Sequence, residues 1–213
     1  MKYKLLSLNV GRPETYETDK GELNSAYRKT PVKGPVHLTY LNFDGDEQAD
    51  KKNHGGRDKA VCLYPAQHYR HWESHYNQEF TFPSFGENLT VDGIDERQIR
   101  IGDVFQLGGA VLQVSEPRKP CYIIARTHGI DDFPARVMEK GFSGFYLRVL
   151  QEGEVAQGDY MILIESHPDG VTVEDVNEVR YHDRDNTAKI RRVVSVAPLA
   201  DGLKQSLSKR LQK

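Results

Sequence analysis

From Lys2 to Val10 and from Val36 to Phe43 the apolar positions recur at short, partly alternating spacing, in the leucine, valine and aromatic types that suit strands. Ala60 to Tyr64 and Asn88 to Asp92 are shorter strand candidates. Val104 to Leu107 passes through Gly108-Gly109 into Ala110 to Val114, and paired glycines between two such runs predict a tight hairpin. Phe145 to Leu150 and Tyr160 to Glu165 complete the series. Ile101-Gly102-Asp103 is echoed by Gln157-Gly158-Asp159, which turn chemistry explains better than an internal repeat. Many short strands with glycine-rich turns point to a barrel or sandwich, and a barrel also removes exposed edges.

Two segments break the β pattern: Ala66 to Asn77 reads as a helix, and Gly129 to Lys140 holds a second, starting near Asp131 or Pro134 and stopped by Gly141. Beyond Pro168 the pattern turns helical. Thr172-Val173-Glu174-Asp175 resembles a capping arrangement, Asn186 is placed to cap Ala188 to Val194, and Pro198 precedes Leu203, Leu207 and Leu211. Three helices this short do not stand alone, so they are expected to pack on one another or on the barrel. The predicted division is 1–167 for the β domain and 168–213 for a three-helix unit.

Composition narrows the class. The 213 residues carry a formal charge of −2, with 38% hydrophobic and 28% charged positions, which describes a folded chain and gives no reason to expect nucleic acid as a partner. No apolar run approaches the ~20 residues of a membrane span, and the apolar start is too short for a signal-peptide core. With only Cys62 and Cys121, free thiols in a reducing, cytoplasmic compartment are the simpler reading.

Two stretches carry candidate chemistry. In Ser115-Glu116-Pro117-Arg118-Lys119-Pro120-Cys121-Tyr122 a cysteine follows two cations between prolines, and adjacent positive charge favours the thiolate that binds soft metals. Alone, Cys121 fits a packed cysteine as well as a functional one; the cations favour function. Cys62, inside Ala60 to Tyr64, reads as a small strand residue. In Lys52-Asn53-His54-Gly55-Gly56-Arg57-Asp58-Lys59 the glycines let backbone N–H groups turn to an anion beside Arg57 and Lys59, although a solvated turn explains the same residues. Ser84 to Leu89, containing Gly86, Glu87 and Asn88, and Gly141 to Arg148 combine glycine with polar groups at strand ends. His68, His71 and His75 share one arc of a helix, but Tyr69, Trp72 and Tyr76 supply its packing face, and the pattern is not His-Glu-x-x-His.

In order and spacing, His54 to Val61, then Tyr64, Tyr69 and Trp72, then Phe85 to Thr90, Ile101-Gly102-Asp103, Pro117 to Cys121, Gly141 to Val149 and Gly158-Asp159 resemble the signature of the MOSC family, named for the C-terminal domain of molybdenum cofactor sulfurases. The resemblance runs to about Glu165, and the tail resembles the extension of the YiiM-type subgroup. It implies a mainly β fold, a MOSC-type β-barrel with short peripheral helices and a small C-terminal three-helix domain. It also implies a bound molybdenum cofactor (molybdopterin), with Cys121 as the molybdenum ligand. Asn53, His54, Gly55, Gly56, Arg57, Asp58, Lys59, Gly86, Glu87, Asn88, Arg118 and Arg148 would then surround the cofactor and its phosphate.

Similar proteins reduce N-hydroxylated compounds such as hydroxylaminopurines and amidoximes. The sequence has no dinucleotide fingerprint, cluster-forming cysteines or haem-attachment motif, so a separate reductase is expected to deliver the electrons. Compared with mitochondrial amidoxime-reducing relatives, the chain has only a short segment before Val36. Its cofactor is therefore expected to be more exposed, or completed by the helical tail or by a second copy in a homo-oligomer. Two alternatives use the same residues differently: a non-catalytic carrier of cofactor or sulfur, and a zinc hydrolase built on the histidine face.

Overall fold

The computed structural model describes residues 1–50 and 55–212. Its centre is a barrel of seven strands, β1 (Lys2–Val10), β6 (Val61–Pro65), β7 (Leu89–Asp92), β8 (Val104–Leu107), β9 (Ala110–Pro117), β10 (Phe145–Gln151) and β12 (Tyr160–Glu165). They pair in the order β12-β8-β9-β10-β6-β7-β1, and β1 closes the ring on β12 through Lys2 opposite Ile162. Every neighbouring pair is antiparallel except β6 with β7. A parallel pair needs a crossover, and helix α1 (Gln67–Tyr76) lies within it. The Gly108-Gly109 hairpin forms as expected, with Leu107 opposite Ala110.

The alternating pattern in the sequence is the inside of this barrel: Leu5, Leu63, Leu89, Val91, Phe105, Leu112, Phe145 and Leu147 are all sealed from solvent. A second cluster, with Trp72, Tyr64, Tyr69, Phe85 and Phe133, packs α1 against helix α3 (Phe133–Lys140). Helix α2 (Tyr122–His128), directly after Cys121, is absent from the sequence expectation. So is a hairpin of β2 (Glu14–Thr18) and β3 (Gly21–Ser25), in which Tyr16 faces Leu23. That hairpin lies against α2: Arg126 donates to the Gly21 and Glu22 carbonyls at 2.8 and 2.9 Å, and Tyr16 and Thr127 share a 3.0 Å hydroxyl contact. Short strands β4 (Thr30–Pro31), β5 (Val36–Leu38) and β11 (Gly153–Val155) complete the sheet structure.

The tail forms α4 (Val173–Asn177), α5 (Thr187–Ser195) and α6 (Asp201–Ser208). Both expected caps are present: Thr172 Oγ1 accepts from Asp175 N while Asp175 accepts from Thr172 N, and Asn186 Oδ1 accepts from Lys189 N at 3.0 Å. Val171, Val173, Val176, Ile190, Leu203 and Leu207 belong to the same buried cluster as the barrel residues. Main-chain bonds from Ile101 N to Val171 O (2.9 Å) and from Ala200 N to Ser115 O (3.0 Å) fasten the tail to the barrel end.

Candidate functional site

β9 delivers Pro117 to the barrel rim, and the chain then runs extended to Cys121, whose φ of −118° and ψ of 167° lead into α2. Arg118 N donates to Gly144 O at 3.1 Å, which fixes the start of this crossing. Pro120 sets φ just before the cysteine and removes a donor there. Cys121 is a free, half-buried thiol. It lies where two cavities meet, one of about 290 Å³ and one of about 490 Å³, which share Asp50, Lys59, Cys121, Tyr122 and Tyr146.

The first cavity is lined by Lys59, Cys62, Gly86, Asn88, Arg118 and the segment from Asn24 to Tyr27 with Lys29. Arg118 is 7% exposed. Burial opposes its charge, and the titrating groups around it are the thiols and phenols of Cys62, Tyr27, Tyr146 and Cys121. Among the described residues no carboxylate forms an ion pair with it. Its guanidinium stands 5.8 Å from the centre of the Tyr27 ring. Lys59 reaches the same cavity and pairs with Glu116 at 3.7 Å. Lys29 is instead neutralised by buried Asp46, which also accepts from Gly11 N (2.8 Å) and Asn88 Nδ2 (2.9 Å).

A buried guanidinium without a carboxylate is costly unless an anion or water answers it. The first cavity therefore has the character of an anion site with a soft thiol at its edge. Gly86 lets the Tyr27 ring pack against the main chain: at φ +69° a Cβ would stand 2.8 Å from that ring, so only glycine leaves this wall unstrained. Asn88 fixes the opposite wall, accepting from Cys62 N at 3.0 Å.

The residues expected around the site separate clearly. Lys59, Gly86, Asn88, Arg118 and Cys121 come together in one cavity. Asn53 and His54 lie outside the described residues. Gly55, Gly56 and Arg57 do not line either cavity, and Arg57 faces outward over the Tyr40 ring at 5.1 Å. Asp58 and Arg148 bond each other instead of an anion: Arg148 Nε and Nη2 meet Asp58 Oδ1 at 2.9 and 2.8 Å, and Nη1 donates to Gln113 at 3.0 Å. That pair ties the turn Arg57–Lys59 to β10 and so positions Lys59. Glu87 points into the core, accepting from Tyr69, from Thr90 at 2.7 Å and from Phe85 N at 2.9 Å. Burial pushes its carboxyl up despite those donors.

The histidine face divides too. His68 is 3% exposed and bonds Glu96 at 2.7 Å, so it packs with the aromatic face, while His71 and His75 stack at 6.0 Å. Among the described residues no three His, Cys, Asp or Glu side chains converge as metal ligands. Cys62 is in its strand as expected, but it lines the cavity as well, and burial pushes its thiol up to about 11.

Several lining residues were not singled out in the sequence. Tyr27, Lys29 and the Asn24–Ala26 stretch wall the first cavity, so the segment before Val36 itself lines the site, where greater exposure, the tail or a second copy were the expectations. The tail contributes Arg180 to the second cavity, beside Glu116 and Lys119. No helix among the described residues is long and apolar enough to cross a membrane.

Comparison with known proteins agrees with this architecture. The MOSC domain family model matches residues 50–161, and the model described as YiiM-like, 3-alpha helix domain matches 171–213. YflK of Bacillus subtilis is 44% identical over 98% of this chain and 95% of its own length. A Gibberella moniliformis protein named a reductase is 34% identical over 68% of this chain, a match spanning 26% of that longer protein. The crystal structure of YiiM from Geobacillus stearothermophilus superposes with a TM-score of 0.84 at 35% identity, covering 98% of this chain and 99% of that one. Barrel, tail and relatives together make this chain a member of the MOSC family, of the YiiM type.

Proposed function

We propose that the chain binds the molybdenum cofactor in the first cavity, with Cys121 as the thiolate ligand to the metal, and reduces N-hydroxylated compounds. The observation that carries this reading is the pairing of a half-buried free thiol with a buried guanidinium that has no carboxylate partner among the described residues. The residues fit the group. Arg118 and Lys59 would hold its phosphate, and the Tyr27 hydroxyl beside Arg118 offers a donor or acceptor to a polar edge. A soft thiolate suits a molybdenum centre.

When bound, the cofactor would supply two-electron transfer at the metal. The protein's part is to orient the thiol, neutralise the anionic end and limit water: Pro120 and α2 fix Cys121, while the Asn24–Tyr27 wall covers one side. A reductase-named relative within the family supports an oxidoreductase over a carrier. The electrons would come from a separate reductase. Purified, molybdenum-loaded protein is expected to convert benzamidoxime to benzamidine repeatedly when supplied with a chemical reductant. A loaded protein that gives no more than one product per bound molybdenum would instead be a carrier.

A further inference from the structure

Resting on that reading, we infer that the second cavity takes the N-hydroxylated substrate, and that Glu116 is the catalytic acid that protonates its oxygen as the N–O bond breaks. Arg118 lines only the first cavity and Glu116 only the second, so the anion-holding and proton-bearing groups divide between two spaces that meet at Cys121. At about 490 Å³ the second space is of small-molecule size. Its wall joins barrel and tail: Glu116 from β9, Lys59 from the preceding turn, Tyr146 from β10 and Arg180 from the segment after α4.

Glu116 is 8% exposed, with Lys59 Nζ at 3.7 Å. The charged and titratable groups that act on it are Lys59, Arg180, Asp58, Tyr146 and Tyr181, and Asp50, Lys119, Cys121 and Tyr122 line the same cavity. Burial pushes its carboxyl up, Lys59 and Arg180 pull it only partly back, and Asp58 adds to the rise. The carboxyl thus gives up its proton less readily than an exposed glutamate, and two cations steady the carboxylate once the proton has left. Arg180 is itself fixed, donating to Pro117 O at 2.9 Å. The buried Tyr181 hydroxyl beside this cluster has no hydrogen-bond partner.

The step balances as R–NH–OH + 2 e⁻ + 2 H⁺ → R–NH₂ + H₂O. The N–O bond breaks, nitrogen is reduced, Glu116 gives one proton to the departing oxygen and solvent gives the second to nitrogen. The two electrons would be supplied by a flavin- or iron–sulfur-carrying reductase, or by dithionite in the assay.

The test uses molybdenum-loaded protein reduced with dithionite and mixed with benzamidoxime in single turnover, from about pH 5.5 to about pH 9. Molybdenum and pterin per chain are measured on the same samples, and benzamidoxime binding to the oxidised protein is measured by dialysis. Glu116→Gln is expected to keep its molybdenum, bind benzamidoxime within about threefold of wild type, react about 10²- to 10⁴-fold more slowly and lose whatever fall in rate wild type shows as pH rises. Glu116→Asp recovers part of the rate, and Arg180→Leu weakens benzamidoxime binding by about tenfold, the loss of one charge-assisted contact. Should Glu116→Gln not fold, Glu116→Asp, which keeps the carboxyl but draws it back by one methylene, must alone slow the step by at least about tenfold. A fully loaded Glu116→Gln that reacts within about threefold of wild type at every pH overturns the acid role while leaving the cofactor reading standing. Loss of molybdenum in that variant alone moves Glu116 to the cofactor's side and also overturns it. Wild type that takes up no molybdenum fails the underlying reading first.

Discussion

Arg118→Met should make the cofactor-free protein more stable and its anion site useless. The guanidinium is 7% exposed, and its close titrating neighbours are thiols and phenols rather than carboxylates. Desolvating an ion costs several kcal/mol after relaxation, and exchanging buried ionic groups for well-packed apolar ones is neutral to stabilising by about 1–4 kcal/mol. Because Arg118 lines a cavity that water reaches, the lower part of that range applies, about 1–2 kcal/mol. For a chain of this length that is a rise in Tm of about 2–8 °C. Inorganic phosphate gives the opposing arm: at about a hundred times its Kd it stabilises a protein that binds it by about 2.7 kcal/mol. Thermal unfolding with and without phosphate should therefore show a wild-type midpoint that climbs with ligand and a variant midpoint that starts higher and stays flat. A variant that is less stable than wild type without ligand, or that gains as much from phosphate, would refute the assignment of Arg118 as an anion-seeking cation.

Other consequences can be checked separately. Gly86→Ala forces a left-handed alanine and sets its Cβ 2.8 Å from the Tyr27 ring, so stability should fall by about 1–3 kcal/mol, and Tm by about 2–12 °C, with weaker cofactor retention. An unchanged melting curve would mean that this wall yields freely. Truncation after His167 removes Val171, Val173 and Val176 from the barrel's own cluster, so the remaining chain should aggregate or lose its cooperative transition; a monomeric barrel with a sharp melt would show that the tail is dispensable for folding. With Cys62 pushed up to about 11, roughly one thiol in a thousand is ionised at about pH 8, so iodoacetamide should label Cys121 in preference, read by peptide mass; equal labelling would contradict the burial of Cys62.

The barrel was legible because its inward positions obey a period of two, and the tail because Thr172 and Asn186 are side-chain caps with local partners. Local rules also explain the omissions. Glu14 to Ser25 is polar on both flanks of Tyr16 and Leu23, so the hairpin has too few apolar positions to announce itself and is held by α2 across more than a hundred residues. Helix α2 was hidden by Pro120 and by Tyr122-Ile123-Ile124, residues that suit a strand equally well. At the site, type and order located Cys121, Arg118 and Lys59, but partner choice is a three-dimensional fact. Nothing in the sequence says that Arg148 answers Asp58, that Glu87 turns to Tyr69 and Thr90, or that Lys29 and Tyr27 reach the cavity.

The proposed ligand to the metal can be tested most directly by counting it. Wild type, Cys121→Ser and Cys62→Ser, produced in a host that makes the cofactor, would be analysed for molybdenum and pterin per folded chain. The account predicts comparable molybdenum in wild type and Cys62→Ser, and almost none in Cys121→Ser although its circular dichroism is unchanged, because a neutral hydroxyl is a poor replacement for a thiolate ligand. Equal molybdenum in wild type and folded Cys121→Ser would contradict it.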